Sequence, residues 1–418
     1  MTSVDQAAKN PVLSQAGNSA LLMNPLRLRI IAWIWIGNAA LTYLIDLLQQ
    51  TRDGLSNGLG RPFGDDFVNY WSGAFLAFHG RAAEVYDFAA FHVFEQSVTA
   101  QSINYYHYSY PPVLLLLILP LAVIPYVPAL FVWLGATWYA FYRALRLTGH
   151  EGALLLALAT PALLLNAIGG QNGAMTAALF GGGLMLVDRR PIVAGILFGM
   201  MIYKPHLAVM LPFALFAGRR WLVAFVTGAT AGFLVVISVA VYGSDVWLQY
   251  QHNIAVLRTV ILEDGTGVSH RMVSVFVFAR HLGAGVVMSY SWQAVGALVA
   301  AIFIVRSWWR DEPAHIRNAV LIIGTCLATP YLQDYDLVFG AFVVAWLLMA
   351  EKDSQLSPQY IRGAIAMILL LPLLNAPIAK SFGPSVGPLF FLPVFALLIC
   401  LGAEYSRRRA FELPAIAA

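Results

Sequence analysis

The sequence predicts an all-α membrane protein that crosses the bilayer about a dozen times, and three observations carry that prediction. Of 418 residues, 60% are hydrophobic and 11% charged, with a mean hydropathy of +0.71. Soluble domains carry about 25% charged residues, so most of this surface cannot face water. Apolar runs recur from residue 30 to residue 403 with no polar block between them large enough to fold alone. The basic residues alternate with those runs. Arg143 and Arg146, Arg189 and Arg190, Arg219 and Arg220, Arg306 and Arg310, and Arg407 to Arg409 fall in short loops, which is the bias of cytoplasmic loops. It places both termini in the cytoplasm and the loops 51–110 and 243–286 outside. Residues 1–418 read as one transmembrane domain.

The first 29 residues are polar, carry Lys9 and lack the ordered features of a cleaved signal. The run from about Ile30 to Gln50 is therefore expected as a retained first span. The loop 51–110 opens on turn residues, Gly54, Gly58, Gly60, Pro62 and Gly64. Phe67 to Phe78 and Phe88 to Val98 follow, each with aromatics on one side and Asn, Ser, His or Gln on the other. Such stretches predict helices in the interface plane, and Tyr105, Tyr106, Tyr108 and Tyr110 suit the headgroup level. Pro111 to Arg146 is too long for one span and is broken by Pro120, Pro125 and Pro128. Reading 111–124 as a full crossing would move the Arg pairs outside, so it is expected to return to the outer face. Later spans are expected near 152–168, 173–187, 191–203, 206–217, 221–242, 287–306, 315–330, 335–350, 360–375 and 386–403. Several fall short of the ~20 residues a bilayer needs. Short, Pro- and Gly-interrupted spans line water-accessible cavities, because irregular backbone is tolerated only there. Asp245 to Ile261 and Ser269 to Leu282 frame the cavity. Cys326 and Cys400 both sit in apolar runs, predicting two buried thiols and neither a disulfide nor a metal site. The net charge of +4 is spread over loops, which speaks against a nucleic-acid surface.

Five polar patches interrupt this pattern. In Gly64-Asp65-Asp66-Phe67-Val68-Asn69-Tyr70, two carboxylates stand where a loop becomes a helix. One of them can cap the helix, and the other is left over as a possible general base. Gly169-Gly170-Gln171-Asn172-Gly173 is either a plain reversal or a set of hydrogen-bonding groups for a polar ligand. In Tyr203-Lys204-Pro205-His206 a lone cation lies between apolar runs. An ionisable residue at that depth is a functional candidate, with snorkelling as the bland alternative. His270 and Arg271, with Arg258 nearby, are rim charges that are either solvated or ligands. Last comes Thr329-Pro330-Tyr331-Leu332-Gln333-Asp334-Tyr335-Asp336, whose Gln333, Asp334, Tyr335 and Asp336 suit a polar cavity lining. No His or Cys metal-ligand set surrounds it.

With these patches in order, the chain resembles glycosyltransferase family 87, the polyprenyl-phosphate-mannose-dependent mannosyltransferases of the C-type fold. The matching residues are Asp66-Phe67-x-x-Tyr70, Gly80 to Tyr86-Asp87, Tyr110-Pro111-Pro112, Gly170-Gln171-Asn172, Lys204-Pro205 with Arg219-Arg220-Trp221, and Thr329-Pro330-Tyr331. The resemblance implies a bacterial plasma-membrane enzyme with its site on the extracytoplasmic face. Its donor is a polyprenyl-phosphate sugar, mannose by the family pattern, its acceptor a lipid or glycan hydroxyl, and it takes no cofactor. The catalytic base maps onto Asp66, with Asp65 as its neighbour. Mycobacterial members are similar in carrying a His near the Thr329-Pro330 position, where this chain has Gln333-Asp334-Tyr335-Asp336.

That chemistry suits the patches. A lipid phosphate leaves as a monoester and needs cations, for which Lys204, Arg271, His270 and Arg258 are the candidates. Tyr70, Tyr110, Gln171, Asn172 and His206 join Gln333 to Asp336 as expected cavity residues. Two rivals belong to other classes. A secondary transporter shares broken helices and a midplane Lys, but usually shows repeats and short outer loops. A lipid-linked glycan polymerase or ligase carries its large outer loop late, whereas here the longest loop comes first.

Overall fold

The computed structural model describes residues 25–416, and the polar segment with Lys9 lies outside the described residues. The described chain is helical and contains no named strand. In order it forms α1 (Pro25–Gln49), α2 (Phe67–Phe78), α3 (Phe88–Val98), α4 (Val113–Ile118), α5 (Tyr126–Leu145), α6 (Ala153–Ala159) and α7 (Pro161–Ile168). Next come α8 (Gly173–Leu186), α9 (Pro191–Met200), α10 (Leu211–Ala217), α11 (Trp221–Tyr242), α12 (Ser244–Leu257) and α13 (Val275–His281). The last five are α14 (Val286–Trp309), α15 (Ala314–Ala328), α16 (Gly340–Asp353), α17 (Pro358–Phe382) and α18 (Gly387–Ile416).

Five of these helices, α1, α11, α14, α17 and α18, are long and apolar enough to cross a membrane, and the chain is a membrane protein. Their outward faces keep large apolar side chains exposed, such as Phe225, Phe233 and Val236 on α11 and Leu298 and Ile302 on α14. A helix apolar all round belongs in lipid or in a core, and here the two uses divide by position. α8, α15 and the first turns of α16 form the buried centre, while α1 buries none of its apolar window.

Local chemistry sets the breaks. The expected single run 152–168 is two helices, because Pro161 has no N–H to donate and holds Thr160 in an extended conformation. α4 passes into a short 3-10 turn over Leu119–Val123 that contains Pro120, so the run from Val113 is too short to continue as one helix. Of the two thiols, Cys326 is buried but Cys400 is exposed. α18 buries under half of its apolar stretch and leaves the rest, Cys400 included, exposed, and composition alone did not distinguish the two faces. At one end of the bundle, buried Arg317 joins Asp188 and Asp311. Arg220 reaches the same two carboxylates at 2.8 and 3.2 Å. These ion pairs tie together the short loops that carry the basic pairs. The polar patches gather at the other end.

Candidate active site

The site starts where α1 ends. Gln50 accepts a hydrogen bond from the Gly64 N–H at 2.7 Å. Arg61 donates to Asp46 at 2.6 Å, to Asp65 at 2.8 Å and to the Ile168 carbonyl at 3.0 Å. Asp65 adopts a left-handed backbone (φ 52°), which Asp tolerates better than most residues. Its carboxylate accepts from Arg61 and, at 2.6 Å, from the Tyr106 hydroxyl. Asp66 occupies the N-cap position of α2, yet its side chain makes no capping bond. It accepts from the Gln171 amide instead. The capping reading therefore fails for Asp66, and Asp65 is the carboxylate already paired.

Gln171 reaches Asp66 because the loop before α8 is pressed into place. A Cβ on Gly170, whose φ is +57°, would lie 2.3 Å from the Gly64 carbonyl oxygen. One on Gly173 would lie 2.1 Å from the Tyr335 carbonyl oxygen. Glycine at both positions lets this loop wedge between the Asp65–Asp66 turn and the 3-10 turn Asp334–Phe339.

From Asp66 a hydrogen-bonded chain runs inward with every donor pointing back toward it. Gln171 donates to Asp66, and the Tyr70 hydroxyl donates to the Gln171 carbonyl oxygen at 2.8 Å. Asn172 donates to Tyr70 at 3.1 Å, and the Lys204 ammonium donates to Asn172 at 2.9 Å. With its own proton spent on Gln171, Tyr70 accepts from Tyr110 at 2.9 Å. Lys204 is 1% exposed and pairs at 2.5 Å with the equally buried Asp336. It does not stand alone, as its sequence neighbourhood suggested. A buried ammonium needs a counter-charge, and the fold supplies one from far along the chain.

The remaining candidates surround this chain. Arg271 grips Asp334 through two nitrogens, at 2.9 and 3.1 Å. The Tyr335 ring lies between the Lys204 ammonium, 4.8 Å from its centroid, and the Arg271 guanidinium, 5.7 Å away. The His206 ring packs edge-on against Tyr331, its buried Nε2 without a partner. Gln333 is buried, and its backbone N–H donates to Asp336. Arg258 pairs with Glu263 at 3.2 Å and stays 60% exposed. His270 lines neither of the cavities described next; its backbone carbonyl accepts from Asn375.

Two cavities open here and share a wall that includes Tyr110, Tyr331 and Tyr335. The first, about 440 Å³, contains Asp65, Asp66, Asn69, Tyr70, Gln171 and Arg271. The second, about 520 Å³, contains Lys204, His206 and Arg258 beside Ile254, Leu257 and Leu262, and no described acidic residue lines it. Both volumes suit a small ligand or a headgroup. Among the described residues no group of three or more His, Cys, Asp or Glu is set to hold a metal.

The electrostatics single out Asp66. Burial pushes its carboxyl up to about 7, and the Asp65 charge adds to that, against the pull of Arg271, the Gln171 hydrogen bond and Arg61. A carboxyl poised near neutrality, half-buried at a cavity wall, can take a proton from a bound hydroxyl. Sequence reading passed over Asp46, Arg61 and Glu95, and quoted Asn69 in the first patch without giving it a role. Asp46 and Glu95 are ionisable residues in apolar stretches, so the rule that picked out Lys204 applied to them too. Glu95 is fully buried without a hydrogen-bond partner. Burial, with Asp66 second, holds it well above the usual carboxylate range.

No curated protein and no solved structure matches the chain. The model of glycosyltransferase family 87 matches residues 108–330. The match takes in Tyr110, Gln171, Asn172, Lys204, His206, Arg258 and Arg271, starts after Asp66 and stops just short of Gln333 to Asp336. It covers more than half of the chain, and the residues inside it form the inner part of the site just described: this protein belongs to glycosyltransferase family 87.

Proposed function

We propose that this glycosyltransferase moves a sugar, mannose by the family resemblance, from a polyprenyl-phosphate donor to a hydroxyl of a lipid or glycan acceptor. The observation that carries the reading is the division of charge between the two cavities. The acid-bearing cavity suits a neutral hydroxyl awaiting deprotonation. The other offers cations, apolar walls and no acid, which suits a lipid phosphate. Their shared tyrosine wall is where the anomeric carbon would lie.

In this mechanism Asp66 takes the acceptor proton as the acceptor oxygen bonds to the anomeric carbon. The bond from that carbon to the phosphate oxygen breaks on the opposite face, so the configuration inverts. The departing phosphate monoester gains negative charge, which the largely exposed Arg258 neutralises by exchanging Glu263 for the phosphate. Lys204 faces the same cavity but is already matched by Asp336, and Arg271 is matched by Asp334. Their part is to hold the polar wall in place and add field. Gln171 directs its amide at one oxygen of Asp66, leaving the other for the acceptor.

The reading includes a topology: one domain, about twelve crossings, both termini in the cytoplasm of a bacterial cell and the site outside. Helices or helix pairs that run between the Arg220–Arg317 end and the Asp66–Lys204 end support this count. So does the 113–124 segment, which follows Tyr110 and Pro111 of the cavity wall and ends where Trp71 donates to the Ile124 carbonyl and Tyr126 to that of Phe63. In the same reading α2 and α3 lie at the membrane interface. Against a Cys-free background, a cysteine at exposed Leu59 reacts with a membrane-impermeant thiol reagent in intact cells, and one at exposed Arg407 does not. The opposite labelling refutes this orientation. The activity itself is tested in nanodiscs with radiolabelled polyprenyl-phosphate mannose, by release of polyprenyl phosphate and appearance of label in a lipid or glycan product. Retention of both by the Asp65→Asn/Asp66→Asn double variant sinks the carboxylate-base mechanism.

A further inference from the structure

The outer wall of the acid-bearing cavity carries polar atoms that nothing in the protein uses. Asn69 is 5% exposed, lines the cavity and leaves its Oδ1 without a hydrogen-bond partner. His107 lines the same wall with a buried, unpartnered Nδ1. Each such atom costs free energy unless something binds it. Tyr105 stands beside them, stacked on His92 at 3.9 Å and 18° and still 59% exposed. The Tyr105 and His107 rings lie 6.1 Å apart. Tyr106, next in the row, is committed to Asp65 through its hydroxyl.

An aromatic ring with one face covered, beside orphaned polar atoms, complements a ligand with an apolar face and a hydroxylated edge. A pyranose ring has that form. Charge narrows the choice further. Asp65 is matched by Arg61, and Arg271 by Asp334, whereas Asp66 has no cationic partner among the described residues. An anionic headgroup would meet a carboxylate with no ion pair of its own, since Arg61 and Arg271 are each held by another Asp. Burial, with His92 second, holds the His107 imidazole below its usual range and so disfavours a compensating charge there.

We infer that Asn69, Tyr105 and His107 form an acceptor subsite for a neutral hexopyranose, which makes the acceptor a sugar-bearing molecule rather than a bare lipid alcohol or a phosphorylated headgroup. The ring stacks on Tyr105, and its hydroxyls donate to Asn69 Oδ1 and His107 Nδ1. The inference builds on the transferase reading above, but binding tests it separately. In nanodiscs, methyl α-mannopyranoside or methyl α-glucopyranoside gives saturation-transfer NMR signals that Asn69→Leu and Tyr105→Ala abolish, while mannose 6-phosphate gives none. In the transfer assay both variants lower kcat/KM for the acceptor by roughly 10-fold or more. Tyr105 is mostly exposed, so its replacement leaves a folded protein even if Asn69→Leu does not. Methyl hexosides that fail to bind, a signal from the phosphorylated sugar alone, or wild-type acceptor kinetics in Tyr105→Ala each overturn the subsite. A wild-type protein that binds the hexoside but never cleaves the polyprenyl-phosphate donor overturns the donor reading and leaves the subsite standing.

Discussion

The two cavities handle charge in opposite ways. On the inner side, Lys204 is sealed from water, and the fold gives it a carboxylate 2.5 Å away and an amide oxygen at 2.9 Å. On the outer side, Asp66 receives one amide hydrogen bond and no cation, although Asp65 beside it takes an arginine and a tyrosine. A buried pair whose charges cancel holds structure. An ionisable group left short of partners at a wetted wall does chemistry. The difference separates two residues that sequence alone treats alike, and it divides the network into a scaffold end and a reactive end.

The sharpest way to break this comparison is at its reactive end. Asp66→Asn keeps shape and Gln171 contact but removes the base, so single-turnover transfer falls by at least ~10²-fold. Asp65→Asn loses less, because Asp65 holds Arg61 and Tyr106 rather than substrate. Near-normal turnover by Asp66→Asn beside an inactive Asp65→Asn reverses the assignment.

The scaffold end is tested by stability. Lys204→Met strands Asp336 as an uncompensated buried charge, which costs roughly 3–5 kcal/mol. The melting temperature in detergent drops accordingly, and Lys204→Met/Asp336→Leu recovers most of the loss. A Lys204→Met protein as stable as wild type would show that the pair contributes no structure.

The pH profile sharpens the comparison next. Transfer requires the ionised base, so kcat/KM climbs with pH through about 7 and levels off above it. The linked stability runs the other way. The folded chain holds the Asp66 proton more tightly than the unfolded chain does, so that stabilisation is complete below the unfolded carboxyl range near 4 and is lost as pH rises to about 7. Asp66→Asn cannot lose it, and its melting temperature falls less than that of wild type between pH 5 and pH 8. Parallel melting curves across that range would show that Asp66 titrates as it does in water.

Much of this was legible in the sequence, and what was not has a common cause. The stretches Phe67 to Phe78 and Phe88 to Val98 are helices over those same residues, because turn residues and Asp87, which caps the second, mark them locally. The five polar patches stand out against apolar runs, and they meet in space. Partnership was the hidden part. Lys204 finds Asp336 across 132 positions, and no local pattern carries that distance. Asp65 and Asp66 separate only once the left-handed backbone of Asp65 turns the two carboxylates apart. Cys400 reads as buried because lipid and protein interiors select the same residues.

The smallest expected effect lies midway along the chain that joins the two ends. Tyr70 neither touches a proposed substrate proton nor carries a charge; its hydroxyl fixes which way the Gln171 amide points. Tyr70→Phe leaves the Gln171 carbonyl oxygen without its donor, and Asn172 and Tyr110 without their shared acceptor. The amide then spends part of its time flipped, and the bond that favours the charged form of Asp66 weakens. Losing it raises the apparent pKa, so the rising limb of the kcat/KM profile moves up by about half a pH unit while its plateau stays within a few fold. Gln171→Leu, which removes the bond outright, moves the limb further in the same direction. The donor KM is unaffected in both, because neither change reaches Arg258. A Tyr70→Phe limb that stays in place while the donor KM rises would mean that this row of hydrogen bonds serves the cationic cavity alone, and that Asp66 is oriented by the Asp65 turn without help from the far end.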